Sequence, residues 1–183
     1  MSGALQAIFQ NQRSFVPPGG QAEYTTAGTY SWLCPDGATE VGVVCVGGGG
    51  GGVSYTTGSY SMNGGTGGGL GWKNAITVAP GSSYTVVVGA GGIKAFYSAI
   101  AGTGGTSYFI SAGTVAGNGG LGGAYSTPRA SGGTYVGDGG GNGGGNINTT
   151  PYGPSGGGGA GGYSGNGGKG LNSFVNYPES DGN

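Results

Sequence analysis

The chain contains no histidine, which removes the side chain that most often serves as general base or metal ligand near neutral pH. Its six acidic residues, Glu23, Asp36, Glu40, Asp138, Glu179 and Asp181, form no recognisable catalytic dyad. Glycoside hydrolysis needs two carboxyl groups flanking the scissile bond, and only folding could bring a pair such as Asp36 and Asp138 together. Gly89, Ala90, Gly91 and Gly92 follow a strand-like stretch as a dinucleotide fingerprint would, yet Lys94 holds the sixth position and no helix-like sequence follows. Gly168-Lys169 has the end of a P-loop but lacks its first glycine, position 163 being tyrosine, and its final Ser or Thr, position 170 being glycine. Asn148-Thr149-Thr150 is a formal glycosylation sequon of a length that arises by chance in an Asn/Thr-rich stretch. Cys34 and Cys45 are too few for a disulfide framework and read as buried free thiols. The sequence therefore predicts no catalytic residues, no metal, no cofactor and no enzyme.

The chemistry that remains is that of recognition. Twelve tyrosines, five phenylalanines and two tryptophans stand in a chain that is only 6% charged. Five basic residues, Arg13, Lys73, Lys94, Arg129 and Lys169, are scattered and leave a net charge of −1, so no basic stripe exists to release counterions from nucleic acid. No window holds eighteen apolar residues and no signal-peptide pattern opens the chain, so neither membrane insertion nor secretion by a signal peptide is expected.

Stepping from residues to elements, 53 of the 183 residues are glycine. Collagen needs strict G-X-Y register, which is broken here, and disordered Gly/Ser chains are more charged and poorer in aromatics. A folded domain is expected over residues 20–183, preceded by an arm at 1–19. The arm carries Leu5, Ile8 and Phe9 on one side before Pro17-Pro18, and it reads either as a frayed end packed on the domain or as a docking segment for assembly. Hairpins are expected at 22–46 around Pro35-Asp36-Gly37, at 74–88 around Pro80-Gly81, and at 106–115 with its bend at Ser111 to Gly113, with a closing strand at 171–177. Tyr30, Trp32 and Cys34 share one face, as do Val41, Val43 and Cys45, and Tyr84, Val86 and Val88. Trp32 is assigned to the core and Trp72 to the core or its shoulder.

Glycine runs at 47–52, 64–71, 89–92, 102–105, 117–123, 137–145 and 156–170 separate these strands. In the last run the open phase reads Gly157, Ala160, Tyr163, Asn166 and Lys169, which fits a three-residue helix whose other two faces are crowded. At about 3.1 Å per residue its fifteen residues would form a strut of roughly 46 Å. The expected fold is all-β, an antiparallel β-sandwich base with inserted, packed polyglycine-II helices. If each run travels away from the base and the next returns, the outer connections gather Tyr55, Tyr60, Met62, Phe96, Tyr97, Tyr125, Arg129, Tyr135 and Tyr152 at one tip, the direction of 134–145 being left open. Aromatics and arginine dominate binding hot spots, and Tyr, Ser, Gly and Asn make up antibody loops. Capping of the glycine layer by the same tyrosines is the competing reading.

The stretch TTAGTYSWLCPDGATEVGVVCVGGGGGG, followed by ITVAPGSSYTVVVGAGG and GGTSYFI, resembles the glycine-rich domain of tail-fibre and tail-tip proteins of tailed bacteriophages over about residues 22–123. The shared pattern falls on Thr77, Val78, Pro80, Gly81, Tyr84, Thr85, Val86, Val88, Gly89, Gly91 and Gly92. The resemblance implies a virion protein, made in the host cytoplasm, placed most naturally in the tail and present in several copies or as a homo-oligomer. Its implied partners are other virion proteins, through the base and arm, and a bacterial surface glycan or outer-membrane protein, through the tip. The chain lacks the shaft domains of a complete fibre, so a purely architectural tail or capsid-decoration subunit is the alternative.

Overall fold

Strand-forming alternation governs the part of the chain that is not glycine. In the computed structural model, which describes residues 20–54, 63–96, 100–124, 129–146 and 155–171, all regular elements are strands. They are β1 (Gly28–Leu33), β2 (Glu40–Val46), β3 (Val53–Ser54), β4 (Leu70–Thr77), β5 (Ser83–Val88), β6 (Ala95–Phe96), β7 (Ser107–Phe109), β8 (Val115–Gly117), β9 (Arg129–Ser131), β10 (Tyr135–Val136), β11 (Gly139–Gly141) and β12 (Gly144–Asn146). Two antiparallel sheets make the base, one of order β1-β5-β7-β8-β10 and one of order β11-β4-β2. Their apolar faces meet in one core of Cys34, Cys45, Ile76, Val78, Phe109 and Val115, against which Trp32, Val41, Val43, Tyr84 and Val86 pack. Trp32 lies 5.8 Å from Phe109 and 6.1 Å from Tyr84, ring centre to ring centre.

The face assignments hold, and one of the three expected hairpins does. β7 and β8 pair through the bend at 111–114. Residues 22–46 and 74–88 do not form hairpins: β1 pairs with β5, and β2 with β4. Each turn instead carries the chain from one sheet to the other, so that the apolar faces of β1 and β2 oppose each other across the core rather than lying side by side. The two turns support one another, Cys34 N donating to Ser82 O, Gly81 N to Cys34 O and Val78 N to Thr39 O. Gly37 and Gly81 supply the positive φ that each needs, 83° and 74°. Between β2 and β4 the register slips from Val41↔Ile76 to Val43↔Lys73, leaving an extra residue in β4, and Ala75 sits there at φ 55°.

Above the base, glycine runs exchange backbone hydrogen bonds with a period of three. Gly47, Gly50 and Val53 donate to Gly69, Thr66 and Asn63; Gly48 and Gly51 donate to Gly105 and Gly102; Gly49 and Gly52 accept from Gly92 and Ala95. One run thus addresses three neighbours in rotation. Among the described residues, these bonds trace nine segments in two rows, one formed by 101–105, 117–124, 131–134, 142–146 and 165–171, the other by 89–95, 47–53, 63–69 and 155–162. Where a glycine faces the backbone of a neighbouring run there is no room for a side chain: a Cβ on Gly50 would lie 2.0 Å from Leu121 O, and one on Gly67 1.8 Å from Gly159 O.

The expected strut over 156–170 is not observed. The chain reverses at 163–165, with Gly162 N donating to Gly165 O, and residues 156, 159 and 162 bond to 171, 168 and 165. The three-residue period is kept, but it runs through two antiparallel segments that bond each other, where one isolated strut would leave those backbone groups to solvent. Trp72 fixes the reversal, stacking on Tyr163 at 6.3 Å and donating its indole N–H to Tyr163 O at 3.0 Å. Only one of the two glycine phases is crowded by backbone: Gly158, Gly161, Gly167 and Gly170 have no room for a Cβ, whereas Gly168 has open space.

Candidate functional site

Because runs leave the base at β2, β5, β8 and β11 and return at β4, β7 and β10, their outer ends collect at the far side of the glycine layer. Backbone pairing brings those ends together. Ser54 pairs with Phe96, Asn63 with Ser155, Asn146 with both Arg129 and Gly170. Buried polar side chains fasten the same place: Asn63 and Asn146 are each 1% exposed, Asn63 Nδ2 donates to Ala124 O, Ser155 Oγ to Asn63 Oδ1, and Asn146 Nδ2 to Gly64 O. Thr66 accepts the Leu121 amide on its hydroxyl at 2.7 Å, one turn closer to the base. Buried amides in apolar or glycine surroundings are costly unless bonded, so this cluster sets where the layer ends and how the outer connections are spaced.

Of the expected recognition residues, Phe96 lies at this end in β6, exposed, with Lys94 Nζ 5.0 Å from its ring centre. Arg129 opens β9 there and pairs through its backbone with Asn146. Tyr55, Tyr60, Met62, Tyr97, Tyr125 and Tyr152 fall outside the described residues, as do Leu5, Ile8 and Phe9 of the arm and the expected strand after Leu171. Tyr135 is a correction. It belongs to β10, paired with Gly117 beside the base, because the return run 131–134 is already complete before it. Sequence reasoning did not single out Ile93 and Ile100, which are 80% and 67% exposed and flank Phe96. Their signal was available: bulky β-branched residues bordering glycine runs where no core position can take them.

A family model described as a glycine-rich domain matches residues 25–183. The chain belongs to that glycine-rich domain family. Comparison with curated proteins returns no match. The matched span contains both base sheets and the whole glycine layer, so the family signature and the folded unit coincide over the described residues.

Other polar and thiol groups of this glycine-rich domain lie in the base. Asp138, on the β10–β11 connection, accepts from Lys73 Nζ at 2.9 Å and from Asn74 N at 2.9 Å. These bonds hold its carboxyl below the usual carboxylate range, the Lys73 hydrogen bond first, and they latch the irregular stretch of β4 next to Ala75. Cys34 and Cys45 are both buried and unpaired with each other. Burial pushes the Cys45 thiol up to about 11, which makes it a core side chain rather than a nucleophile. Among the described residues no group of three metal-ligating side chains occurs, and no helix is long and apolar enough to cross a membrane.

Proposed function

We propose that this chain is a non-enzymatic bacteriophage tail-fibre or tail-tip protein whose outer end displays recognition segments toward a bacterial surface. The observation that carries the reading is convergence: Ser54 pairs with Phe96, Asn63 with Ser155, and Asn146 with Arg129 and Gly170, while Asn63 bonds Ala124, so that runs from every part of the described chain meet at one end of the glycine layer. A scaffold that returns to one rigid end several times can vary each connection independently, since loops tolerate change where packed backbone does not. The exposed Ile93, Phe96 and Ile100 at that end, together with the tyrosine-rich connecting sequences, supply the apolar and aromatic contacts that recognition uses.

The glycine segments act in this reading as polyglycine-II helices, supported by the three-residue rotation of partners and by the lack of room for side chains. Packing of this kind gives a stiff pedestal with little apolar core. Weak attachment per copy, multiplied over several copies, suits a surface glycan or outer-membrane protein as ligand. The test is binding of the labelled, folded protein to host cells of the source phage, with an unrelated bacterium as control. Selective retention that disappears when Tyr55, Tyr60, Tyr97 and Tyr152 are replaced by serine is the expected result. Equal retention on both bacteria, or retention unaffected by the four substitutions, refutes it.

A further inference from the structure

Along the chain the five basic residues are scattered, but the fold sorts charge by end. Every acid among the described residues lies on the base: Glu23 beside β1, Asp36 in the turn after it, Glu40 at the start of β2 and Asp138 between β10 and β11. Lys73 is there too, bound to Asp138 at 2.9 Å, so four carboxylates and one ammonium leave the described base at net −3. The other described cations, Lys94, Arg129 and Lys169, all stand at the outer end of the glycine layer. Lys94 precedes Ala95, which pairs with Val53. Arg129 and Gly170, the latter next to Lys169, both pair with Asn146. Run 142–146 therefore separates the runs of Arg129 and Lys169 by two backbone spacings, roughly 10 Å, and Lys94 stands farther off, at the end of the other row. Lys94 and Lys169 are exposed. The connections at this end, 55–62, 97–99, 125–128 and 147–154, contain no charged residue. Arg13, Glu179 and Asp181 fall outside the described residues.

We infer that the outer end binds an acidic polysaccharide, whose repeating carboxylates or phosphates meet the charges at Lys94, Arg129 and Lys169. The inference rests on the reading of this end as the recognition end and names the chemistry it recognises. Spacing selects the ligand. A single small anion is held by cations that converge within about 4–6 Å, whereas these stand roughly 10 Å or more apart and suit a polymer that repeats its charge. Duplex nucleic acid carries one charge per about 1.7 Å of axis, far denser than three such cations neutralise. Beside Lys94 the exposed Ile93, Phe96 and Ile100 offer apolar contact to sugar faces. The Lys94 ammonium lies 5.0 Å from the Phe96 ring centre, which sets a cation and an aromatic surface side by side. The negative base adds orientation: near an anionic surface the field turns the base away and brings the outer end forward, an effect that salt screens.

The test is retention of the full chain on immobilised polygalacturonate, phosphomannan, neutral dextran and duplex DNA. It is run at about 0.1 and about 1 M salt, which shortens the screening length from about 10 Å to about 3 Å. The expected result is salt-sensitive retention on polygalacturonate, on phosphomannan or on both, with little on dextran or DNA; the polyanion that binds names carboxylate or phosphate as the group read. Lys94→Gln, Arg129→Gln and Lys169→Gln together weaken retention by about tenfold at the lower salt. Lys169→Gln alone weakens it by about two- to threefold, whereas Lys73→Gln, the same loss of charge at the base, leaves it within about 1.5-fold. Thermal midpoints check that each variant is folded. Dextran held as strongly as the polyanions, indifference to the triple substitution, or equal effects of Lys169→Gln and Lys73→Gln overturns the inference. So does DNA held as strongly as either polysaccharide, which reduces the end to a general cation patch. Host-cell retention that needs the tyrosines but not the three cations sinks this inference and leaves the recognition reading standing. Polysaccharide binding without selective cell retention keeps the acidic-glycan chemistry and sinks the host-cell reading.

Discussion

Gly49 and Gly50 are adjacent in one run and are predicted to respond in opposite directions to alanine. A Cβ on Gly50 would stand 2.0 Å from Leu121 O and 2.4 Å from Leu121 C, whereas on Gly49 the nearest atom, Thr66 O, is 3.8 Å away. Reaching ordinary contact at Gly50 requires runs 47–53 and 117–124 to separate by more than an ångström. Gly120 N to Gly48 O and Gly123 N to Gly51 O, both 2.8 Å, join those two runs and do not survive that separation. Each lost bond costs about 0.5–1.5 kcal/mol net, and a buried group left unpaired about 1–3 kcal/mol more, so Gly50→Ala destabilises by about 3–6 kcal/mol. That is a large share of the roughly 5–15 kcal/mol holding a domain together. Gly49→Ala meets no obstacle and narrows the unfolded ensemble, raising stability by up to about 1 kcal/mol. Guanidinium unfolding followed by tryptophan fluorescence measures both, with thermal midpoints as a check. If the two variants agree within about 0.5 kcal/mol, the glycines are not there to admit backbone and the account of the layer is wrong.

Other positions give independent tests. Ala75→Gly relieves a left-handed non-glycine residue and is expected to stabilise by about 1 kcal/mol in the same unfolding assay; a loss of stability contradicts the strain. Trp72→Phe keeps part of the stack on Tyr163 but loses the indole hydrogen bond, costing about 1 kcal/mol, while Trp72→Ala costs roughly 2–4 kcal/mol and frees the amides near 163–165 in hydrogen exchange. Asp138 has a lowered folded-state pKa, so its contribution is present above the unfolded value near 3.9 and is lost as pH falls through the folded one. Thermal midpoints between pH about 5 and 2 should therefore fall further for the native chain than for Asp138→Asn, and parallel curves would remove the latch. The raised Cys45 pKa has the reverse sense: stability is lost as pH rises from the unfolded thiol range toward about 11, and neither cysteine should react with a thiol reagent at neutral pH before unfolding. Reaction in the native state would place a thiol at the surface.

The sequence by itself determined the class of structure and the grain of its glycine segments. Alternation named the inward residues of the main strands, Trp32, Cys45 and Val86 among them, because a strand has only two faces and a core accepts one. Three-residue phasing after Gly156 marked a backbone that packs on backbone, since only that environment excludes every Cβ on a face. Absence of histidine and of any acidic dyad pattern set the expectation of a non-catalytic protein. Tertiary structure decided what local signals leave free. Pro-Asp-Gly and Pro-Gly turns at 35–37 and 80–81 are compatible with a hairpin and with a passage between sheets, and the choice depends on which apolar faces must oppose each other across Cys34, Ile76 and Phe109. The reversal at Tyr163 is equally silent in sequence, because its cause, Trp72, is 91 residues away along the chain. The placement of Tyr135 in the base and the convergence on Asn63 and Asn146 depend on hydrogen bonds between distant runs of nearly identical composition. Glycine carries no side chain to distinguish one neighbour from another, so the partners of each run are fixed only when all of them pack together.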